Sequence, residues 1–421
     1  MQNIQDVLIV FNTTEYWPIL IAWSWFLLTV ILRICFNIGP TDFITWSTDY
    51  DFVLQLTSAD FLISTLSIII LTYISLIVCH KCLGVKIYYA EYYFVICIVL
   101  LSKLIGTSYL LKSYGLGTAF WCIFLGCCFR SVFKIDLGLM MSMEFFIKTG
   151  IVLFAIDLNK IVNIGPKSLV VAWVETSLLL FIVYCIGRSI LNLDITKTLL
   201  VSSGLSICGS SAVMSVSDIL DQNLLEPTSS SSIRDDTSVT ITILSIFSIP
   251  YIILLPYLCK TFGFSDIISG TWIGGSIDST GAVIASASLV NQSTTDTAII
   301  LKMLQNLLIG PVTLVFTGIL YKSVNPKILI QKFPKFILGF LIVCSIVTSF
   351  SGGKQIAQDC IVLSEWFSQI SFVLIGMDIN FVEIPGIIKS KWKMLVLYIV
   401  GQTIDTLTTL GFSIWMFYNE I

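Results

Sequence analysis

Charged side chains are what this sequence lacks most. Asp, Glu, Lys and Arg together make up 12% of its 421 residues, whereas 56% are hydrophobic. Soluble domains carry about 25% charged residues. This shortage excludes an ordinary soluble domain and predicts an all-α integral membrane protein whose main partner is the lipid bilayer. The sequence also has no basic patch of the kind that binds nucleic acid, and we expect no nucleic-acid partner.

Histidine and paired metal ligands are also lacking. His80 is the only histidine, which removes most histidine-based catalysis. It lies in Cys79-His80-Lys81-Cys82, but no second pair of ligands completes the four that a structural zinc site needs. The sequence has no Gly-x-Ser-x-Gly nucleophile elbow and no recognisable pair of nucleophile and base. We therefore expect no metal, no cofactor and no enzymatic activity.

Long apolar runs are abundant instead. A transmembrane helix needs about 20 apolar residues, and fewer where it is short or broken. Lys and Arg concentrate in alternate loops of this sequence. Cytoplasmic loops of membrane proteins carry an excess of these residues. We therefore expect a plasma-membrane protein with a cytoplasmic N-terminus and an external C-terminus. The sequence predicts about 13 spans, at 17–37, 60–79, 87–106, 116–131, 144–157, 168–187, 198–220, 237–258, 267–290, 298–320, 336–350, 361–378 and 394–417.

A weak internal repeat divides the chain. The stretch from Ile147 to Asn159 is echoed by that from Ile370 to Asn380, and both end in Asp-apolar-Asn. They fall in predicted spans that cross in opposite directions, as in an inverted-topology transporter repeat. Chance similarity within an apolar chain is the alternative. The expected domains are N-terminal extra spans at 1–80, a first half of the transporter core at 81–225, a serine-rich connector at 226–236 and a second half at 237–421.

The most unusual stretch runs from Gly270 to Val283. It is flanked by apolar residues, yet it contains four glycines, two serines, two threonines and Asp278. No water satisfies freed backbone groups at membrane depth, so such residues cluster where a helix is broken, tightly packed or lining a wet cavity. An ionisable residue at that depth is a functional candidate by default. The alternative is a small-residue packing face with Asp278 near a helix end.

A second small and polar stretch runs from Ser202 to Val213. Its Gly-Ser-Ser-Ala-Val resembles Ser-Thr-Gly-Ala-Val of the first stretch. Two interrupted apolar segments in one chain are typical of a transporter's midplane site, where broken helices offer unpaired N–H groups and hydroxyls add donors. Close helix crossing through small side chains is an alternative that is compatible with a site. The candidate ion-binding residues are Ser206, Cys208, Gly209, Ser210, Ser211, Ser276, Asp278, Ser279 and Thr280.

Three charged residues are candidates for ion coupling. Asp278 and Asp405 are carboxylates deep in predicted spans, and Lys302 lies near the end of another span. We expect Lys302 to pair with Asp278, which would neutralise a costly buried carboxylate or supply the positive charge that an anion needs. Other ionisable residues within predicted spans include Glu91, Lys103, Glu144, Lys148 and Glu175.

Four stretches of the chain match a known family. They are Lys148–Leu153, Ser203–Val213, Trp272–Ile277 and Leu301–Val312, and the run Ser-Ile-Cys-Gly-Ser-Ser-Ala in the second is the most specific. From about Gly115 to Phe417 the chain resembles a family of bacterial inner-membrane proteins described as sulfate exporters, in the broad fold group of sodium/proton antiporters and bile-acid transporters. This resemblance implies two inverted bundles with discontinuous, crossing helices, and it implies export of an anion.

Two positions depart from that family. Asp278-Ser279 stand where many members have His-Glu, and Asn306 stands where a basic residue is common. Both differences remove positive or titratable character and favour a role for cations. The leading hypothesis is a secondary active transporter for a small inorganic, sulfate-like anion, coupled to H⁺ or Na⁺. A monovalent cation/proton antiporter that uses Asp278 is the alternative, followed by a passive channel and a membrane-embedded enzyme. The expected partners are the bilayer, the transported ion and a second copy in a homodimer.

Overall fold

The structure, a computed structural model, is helical throughout the part of the chain that it describes. Within that part it contains α-helices with short π-helical turns and no β-strand. The described residues are 2–36, 39–40, 59–83, 89–109, 111, 117–133, 143–156, 158–221, 227–321, 334–350, 352–378 and 384–418. The expectation of an all-α fold is therefore confirmed for these ranges.

The helices are numbered here in chain order. The first five are α1 (Gln2–Phe36), α2 (Ala59–Leu83), α3 (Tyr89–Gly106), α4 (Thr118–Phe133) and α5 (Met143–Leu153). The next five are α6 (Leu158–Ile190), α7 (Ile195–Cys208), α8 (Ser210–Asp221), α9 (Pro227–Phe247) and α10 (Ile249–Phe262). The last eight are α11 (Asp266–Ser276), α12 (Thr280–Ser288), α13 (Gln292–Asn306), α14 (Ile309–Tyr321), α15 (Phe336–Ser349), α16 (Gly353–Asp378), α17 (Ile384–Ser390) and α18 (Trp392–Met416).

Six segments of the described residues are long and apolar enough to cross a membrane by length and composition. They are Trp17–Cys35, Leu158–Ile190, Asp235–Phe262, Gln292–Ile319, Gly353–Asp378 and Trp392–Met416. Several apolar helices of this length in one chain are typical of an integral membrane protein. The count of about 13 spans stays a prediction.

The chain divides into two compact units. Unit 1 comprises Met1–Ile161 and Pro334–Asp378, and unit 2 comprises Val162–Phe333 and Ile379–Ile421. Each unit is therefore built from two separate stretches of sequence. The transporter halves and the terminal spans expected from the sequence stay a prediction.

Unit 1 is organised around α16, which packs against α4, α5 and α3. An ion pair fixes α1 to this helix: Arg33 donates two hydrogen bonds to the carboxylate of Asp359, at 2.7 and 2.5 Å. Asp359 is 4% exposed. A bidentate arginine contact satisfies both oxygens of a buried carboxylate at once, which makes this charge tolerable inside the unit.

The two helices that carry most of the echoed stretches, α5 and α16, pack together in unit 1. Ser364 on α16 donates a hydrogen bond of 2.7 Å to the carbonyl of Gly150 on α5, and Ser371 donates one of 3.4 Å to Met143. After α5 ends, residues 154–156 are non-helical and buried. Asp157 and residues 379–380, which end the echoed stretches, lie outside the described residues. The inverted symmetry itself stays a prediction.

The serine tract in unit 2 differs from the loop that its composition indicates. Most of 226–236 lies in α9, which begins at Pro227. Proline suits a first helical turn because the N–H groups there have no partner within the helix. Further along α9, Thr237 and Thr240 donate to the carbonyls of the residues four positions earlier. Hydroxyl residues therefore do not interrupt this helix, and the tract's role as a domain boundary stays a prediction.

Unit 2 contains a close crossing of α11 with α13. A Cβ atom added at Gly274 would lie 2.7 Å from the carbonyl oxygen of Ala298 and 3.0 Å from its Cα atom. Only glycine lets the two backbones approach so closely, a device common between membrane helices. α18 packs along α11 as well. This crossing fixes the position of the residues that follow α11, which belong to the candidate site.

We predict that Gly274→Ala destabilises the protein by about 1–3 kcal/mol, because its methyl group overpacks a backbone contact. The measurement is thermal unfolding of the purified protein in detergent, followed by circular dichroism. Gly411→Ala on α18 is the matched control, since no atom of another described element lies within 4 Å of its added Cβ. Equal unfolding midpoints for the two variants would contradict the close crossing.

Candidate functional site

The first interruption of a helix in unit 2 lies between α7 and α8. The last five residues of α7, Gly204–Cys208, form a π-helical turn, closed by a 2.8 Å hydrogen bond from Gly209 N to Gly204 O. Gly209 then adopts φ +62° and ψ −125°, a conformation that side chains with a Cβ rarely reach. α8 starts again at Ser210. The predicted residues Ser206, Cys208, Gly209, Ser210 and Ser211 thus surround one break.

The second interruption lies between α11 and α12. Ile277 and Ser279 have extended backbone, with Asp278 between them, and α12 begins at Thr280. The Ser279 hydroxyl accepts a hydrogen bond of 3.1 Å from Ala282 N and caps the new helix. Ser276 ends α11 and is fully buried. The remaining four predicted ion-binding residues therefore surround this second break.

The two breaks are neighbours. A Cβ atom added at Gly209 would lie 3.7 Å from the Cβ and the carbonyl carbon of Asp278. Non-helical backbone at membrane depth is tolerated only where protein or a wet cavity surrounds it. Both interruptions expected from the sequence are present, and the structure brings them together.

Lys302 on α13 joins the two breaks. Its ammonium group donates to Ile207 O at 2.9 Å, Ile277 O at 2.8 Å and the side-chain oxygen of Gln305 at 2.7 Å. The two carbonyls belong to the C-terminal ends of α7 and α11, where a helix carries unsatisfied carbonyls and partial negative charge. Lys302 is 1% exposed, so it acts as a fixed internal cation for both helix ends.

The expected pairing of Lys302 with Asp278 takes a different form. Among the described residues the three protons of the ammonium group go to the oxygens of Ile207, Ile277 and Gln305. Lys302 therefore contacts the residue before Asp278 through its backbone and not the carboxylate itself. Its charge still acts on Asp278 electrostatically.

Two glutamines complete the hydrogen bonds of the broken backbone. Gln305 donates 2.9 Å bonds to Ser206 O and to the hydroxyl of Thr176, while Gln402 on α18 donates to Ser276 O. Sequence reasoning gave these residues no role. The sequence position of Gln305 could have indicated its role, because it follows Lys302 by three residues and therefore lies on the same face of the helix.

Asp278 is buried between α11 and α18. The hydroxyl of Tyr398 donates a 2.9 Å hydrogen bond to its Oδ2 atom. Oδ1 has no hydrogen-bond donor among the described residues, and the residue is 2% exposed. One face of α18 is polar and lies toward the second break. Its residues are spaced by three or four positions, as on one side of a helix: Tyr398, Gln402 and Asp405.

Two more carboxyl groups lie near this face. Asp405 on α18 is 1% exposed and accepts a 2.9 Å hydrogen bond from Thr409, and Glu175 on α6 is 2% exposed and accepts one of 2.9 Å from Thr408. Both act electrostatically on Lys302, as Asp278 does. Glu175 is the functional candidate that the sequence did not assign.

The charges of this buried cluster do not balance. Asp278, Asp405 and Glu175 supply three carboxyl groups, against one ammonium group from Lys302. Buried charge without compensation is costly, so such a site takes up protons or a cation. Within the described residues, no three His, Cys, Asp or Glu side chains could hold a metal ion.

We predict that Lys302→Gln lowers the stability of the protein by about 3–5 kcal/mol, because it leaves buried carbonyls at both breaks without their charged donor and removes the positive charge near the buried carboxylates. The midpoint of thermal unfolding in detergent measures this loss. Lys260→Gln is the control, since Lys260 is exposed in the last turn of α10. A midpoint for Lys302→Gln that equals that of the control would show that Lys302 does not hold the breaks together.

Comparisons with known proteins place the chain in a family. A UPF0324 membrane protein of Nitratidesulfovibrio vulgaris is 29% identical over 349 residues, which cover 76% of this chain and 58% of the relative. A second, from Rhodopirellula baltica, is 30% identical over 331 residues, 73% of this chain and 59% of the relative. A third, from Lactiplantibacillus plantarum, is 28% identical over 227 residues, 51% of this chain and 63% of the relative.

The chain therefore spans less than two-thirds of the length of these relatives. No solved structure matches it. The family model described as Conserved hypothetical protein 698 matches residues 92–398, a range that includes both helix breaks, Lys302 and Tyr398. The chain belongs to the family of Conserved hypothetical protein 698, and its relatives are membrane proteins.

Proposed function

We propose that this protein is a secondary carrier that exchanges a monovalent cation for protons, with Asp278 as the cation-binding carboxylate. The observation that carries the proposal is the position of Asp278 at two adjacent helix breaks. One of its oxygens is held by Tyr398, and the other has no donor among the described residues. A carboxylate oxygen in this state is an acceptor prepared for a proton or a cation.

The electrostatics of the cluster favour a cation over an anion. Lys302 donates all three of its N–H groups to protein oxygens. It therefore has none to offer to an anion such as sulfate. An anion bound at this point would also lie near the carboxyl groups of Asp278, Asp405 and Glu175, with which it would interact unfavourably.

The same cluster gives a physical reason for exchange. Its excess of carboxyl groups is neutralised either by protons or by a cation, and the two compete. A carrier needs two arrangements of such a site, each open to one side of the membrane. We propose that the segments Ser206–Val213 and Ser276–Val283 move together, since Lys302 and Gln305 tie both to α13.

Export of a sulfate-like anion is the second candidate, and one observation favours it. Four hydroxyl residues at the N-terminal ends of α8 and α12 are only half-buried, so an ion could reach them. They are Ser210, Ser211, Ser279 and Thr280. Such ends attract anions through their N–H groups and dipoles. In this version protons on the buried carboxyl groups would accompany the anion.

Both candidates are carriers and neither is an enzyme. We propose the plasma membrane as the location, with a cytoplasmic N-terminus.

We predict that purified protein in liposomes moves Na⁺, or another alkali cation, against a pH gradient. Asp278→Asn abolishes this exchange, because a neutral amide does not provide the carboxylate that binds the cation. The flux of the labelled cation and the internal pH are measured together. Asp235→Asn is the matched control, since Asp235 is an exposed carboxylate of α9 and its loss leaves exchange unchanged.

Labelled sulfate in the same liposomes separates the two candidates. Sulfate movement driven by a pH gradient, without movement of any alkali cation, would overturn the cation proposal in favour of the anion. Unchanged cation exchange in Asp278→Asn would show that another group binds the cation.

A further inference from the structure

A π-helical turn in α6 presents Glu175 to the interior of unit 2. The turn comprises Val171–Glu175, and its last residue is 2% exposed. An extra residue in a helical turn is an uncommon feature that often occurs at functional sites. This turn packs against α11, α13 and α18. The carboxyl group of Glu175 therefore lies where the elements of the broken-helix site meet.

The neighbour of Glu175 on α18 is Asp405. The consecutive residues Thr408 and Thr409 donate 2.9 Å hydrogen bonds to Glu175 Oε1 and to Asp405 Oδ1, respectively. The two carboxyl groups also interact electrostatically with each other. One short segment of α18 thus holds two acidic side chains side by side.

One oxygen of this pair has no donor. Asp405 Oδ2 is completely buried and accepts no hydrogen bond from an N–H or O–H group of the described residues. Two ionised carboxylates in contact repel each other, and burial increases the repulsion. A single proton between them removes one charge and turns one acid into the donor that the other lacks, as in paired carboxyl groups generally.

We propose that Glu175 and Asp405 form a proton-binding pair that shares one proton, separate from the cation-binding carboxylate of Asp278. This assignment deepens the proposed exchange function and rests on it for its role, because it identifies the groups that carry the proton.

The charged groups around the pair support this assignment. Lys302 faces it from α13 and Asp278 faces it from the end of α11. Lys302 is held by Ile207, Ile277 and Gln305, so its charge acts only from a distance. One distant ammonium group cannot balance three carboxyl groups, and the shared proton removes one of the remaining negative charges.

Infrared spectroscopy tests the pair directly, through the C=O stretch of a protonated carboxylic acid. We expect the purified wild-type protein in lipid to show this band at neutral pH. Glu175→Gln and Asp405→Asn each remove the same component, equal to one acid per protein, because the new amide donates to the remaining carboxylate. The double variant loses no more than either single variant. Asp278→Asn retains this component.

Thr408→Val tests the pair without removing an acid, in case the amide variants do not fold. Loss of its hydroxyl donor shifts the frequency of the band. Thr403→Val is the matched control, because Thr403 is exposed and donates to a carbonyl of its own helix, and it leaves the band unchanged.

Three results would overturn the shared proton: no band in the wild type, loss of the band in only one of the two single variants, or additive losses in the double variant. The band does not depend on transport. A band with the expected pattern in a protein that fails to exchange ions would refute the proposed function and leave the proton pair standing.

Discussion

Interrupted helices inside a membrane must have their freed backbone groups satisfied by the protein, because the bilayer offers no hydrogen bonds. In unit 2, Lys302 meets this requirement for two breaks at once by donating to Ile207 O and Ile277 O. Gln305 and Gln402 extend the same solution to the neighbouring carbonyls of Ser206 and Ser276. The conformation of the site depends on these contacts, since without them the breaks would carry unpaired carbonyls at depth.

This solution has an electrostatic consequence. Because the lysine is used to hold backbone, it cannot also neutralise the carboxyl groups around it by direct contact. Within the described part of the chain, Asp278 and Asp405 each retain an oxygen without a donor. A structural requirement of the broken helices thus leaves buried acceptor oxygens, and the proposed exchange would use these oxygens to bind protons or a small cation.

The sequence predicted the breaks and not the contacts that hold them. Gly209 and Asp278 stand out because glycine, hydroxyl and acidic residues are rare in apolar runs. Two partners of Lys302 are backbone carbonyls from distant segments. Every residue has a backbone carbonyl, so the pattern of side chains in the sequence does not predict which carbonyls Lys302 contacts. Glu175 is recognisable in the sequence as an ionisable residue within a span, but its partner Thr408 lies 233 residues away and only the fold brings the two together. The serine tract belongs to helix α9, which begins at Pro227, a residue suited to a first helical turn.

Proton release on cation binding tests the central claim most directly, because it needs neither a membrane gradient nor a turnover. Alkali chlorides are added to purified protein in a weakly buffered solution, and the pH is recorded. Competition at the buried carboxyl cluster predicts that Na⁺ or another alkali cation releases protons from the wild type and none from Asp278→Asn. Equal release from both proteins, or no release with any alkali cation, would contradict it.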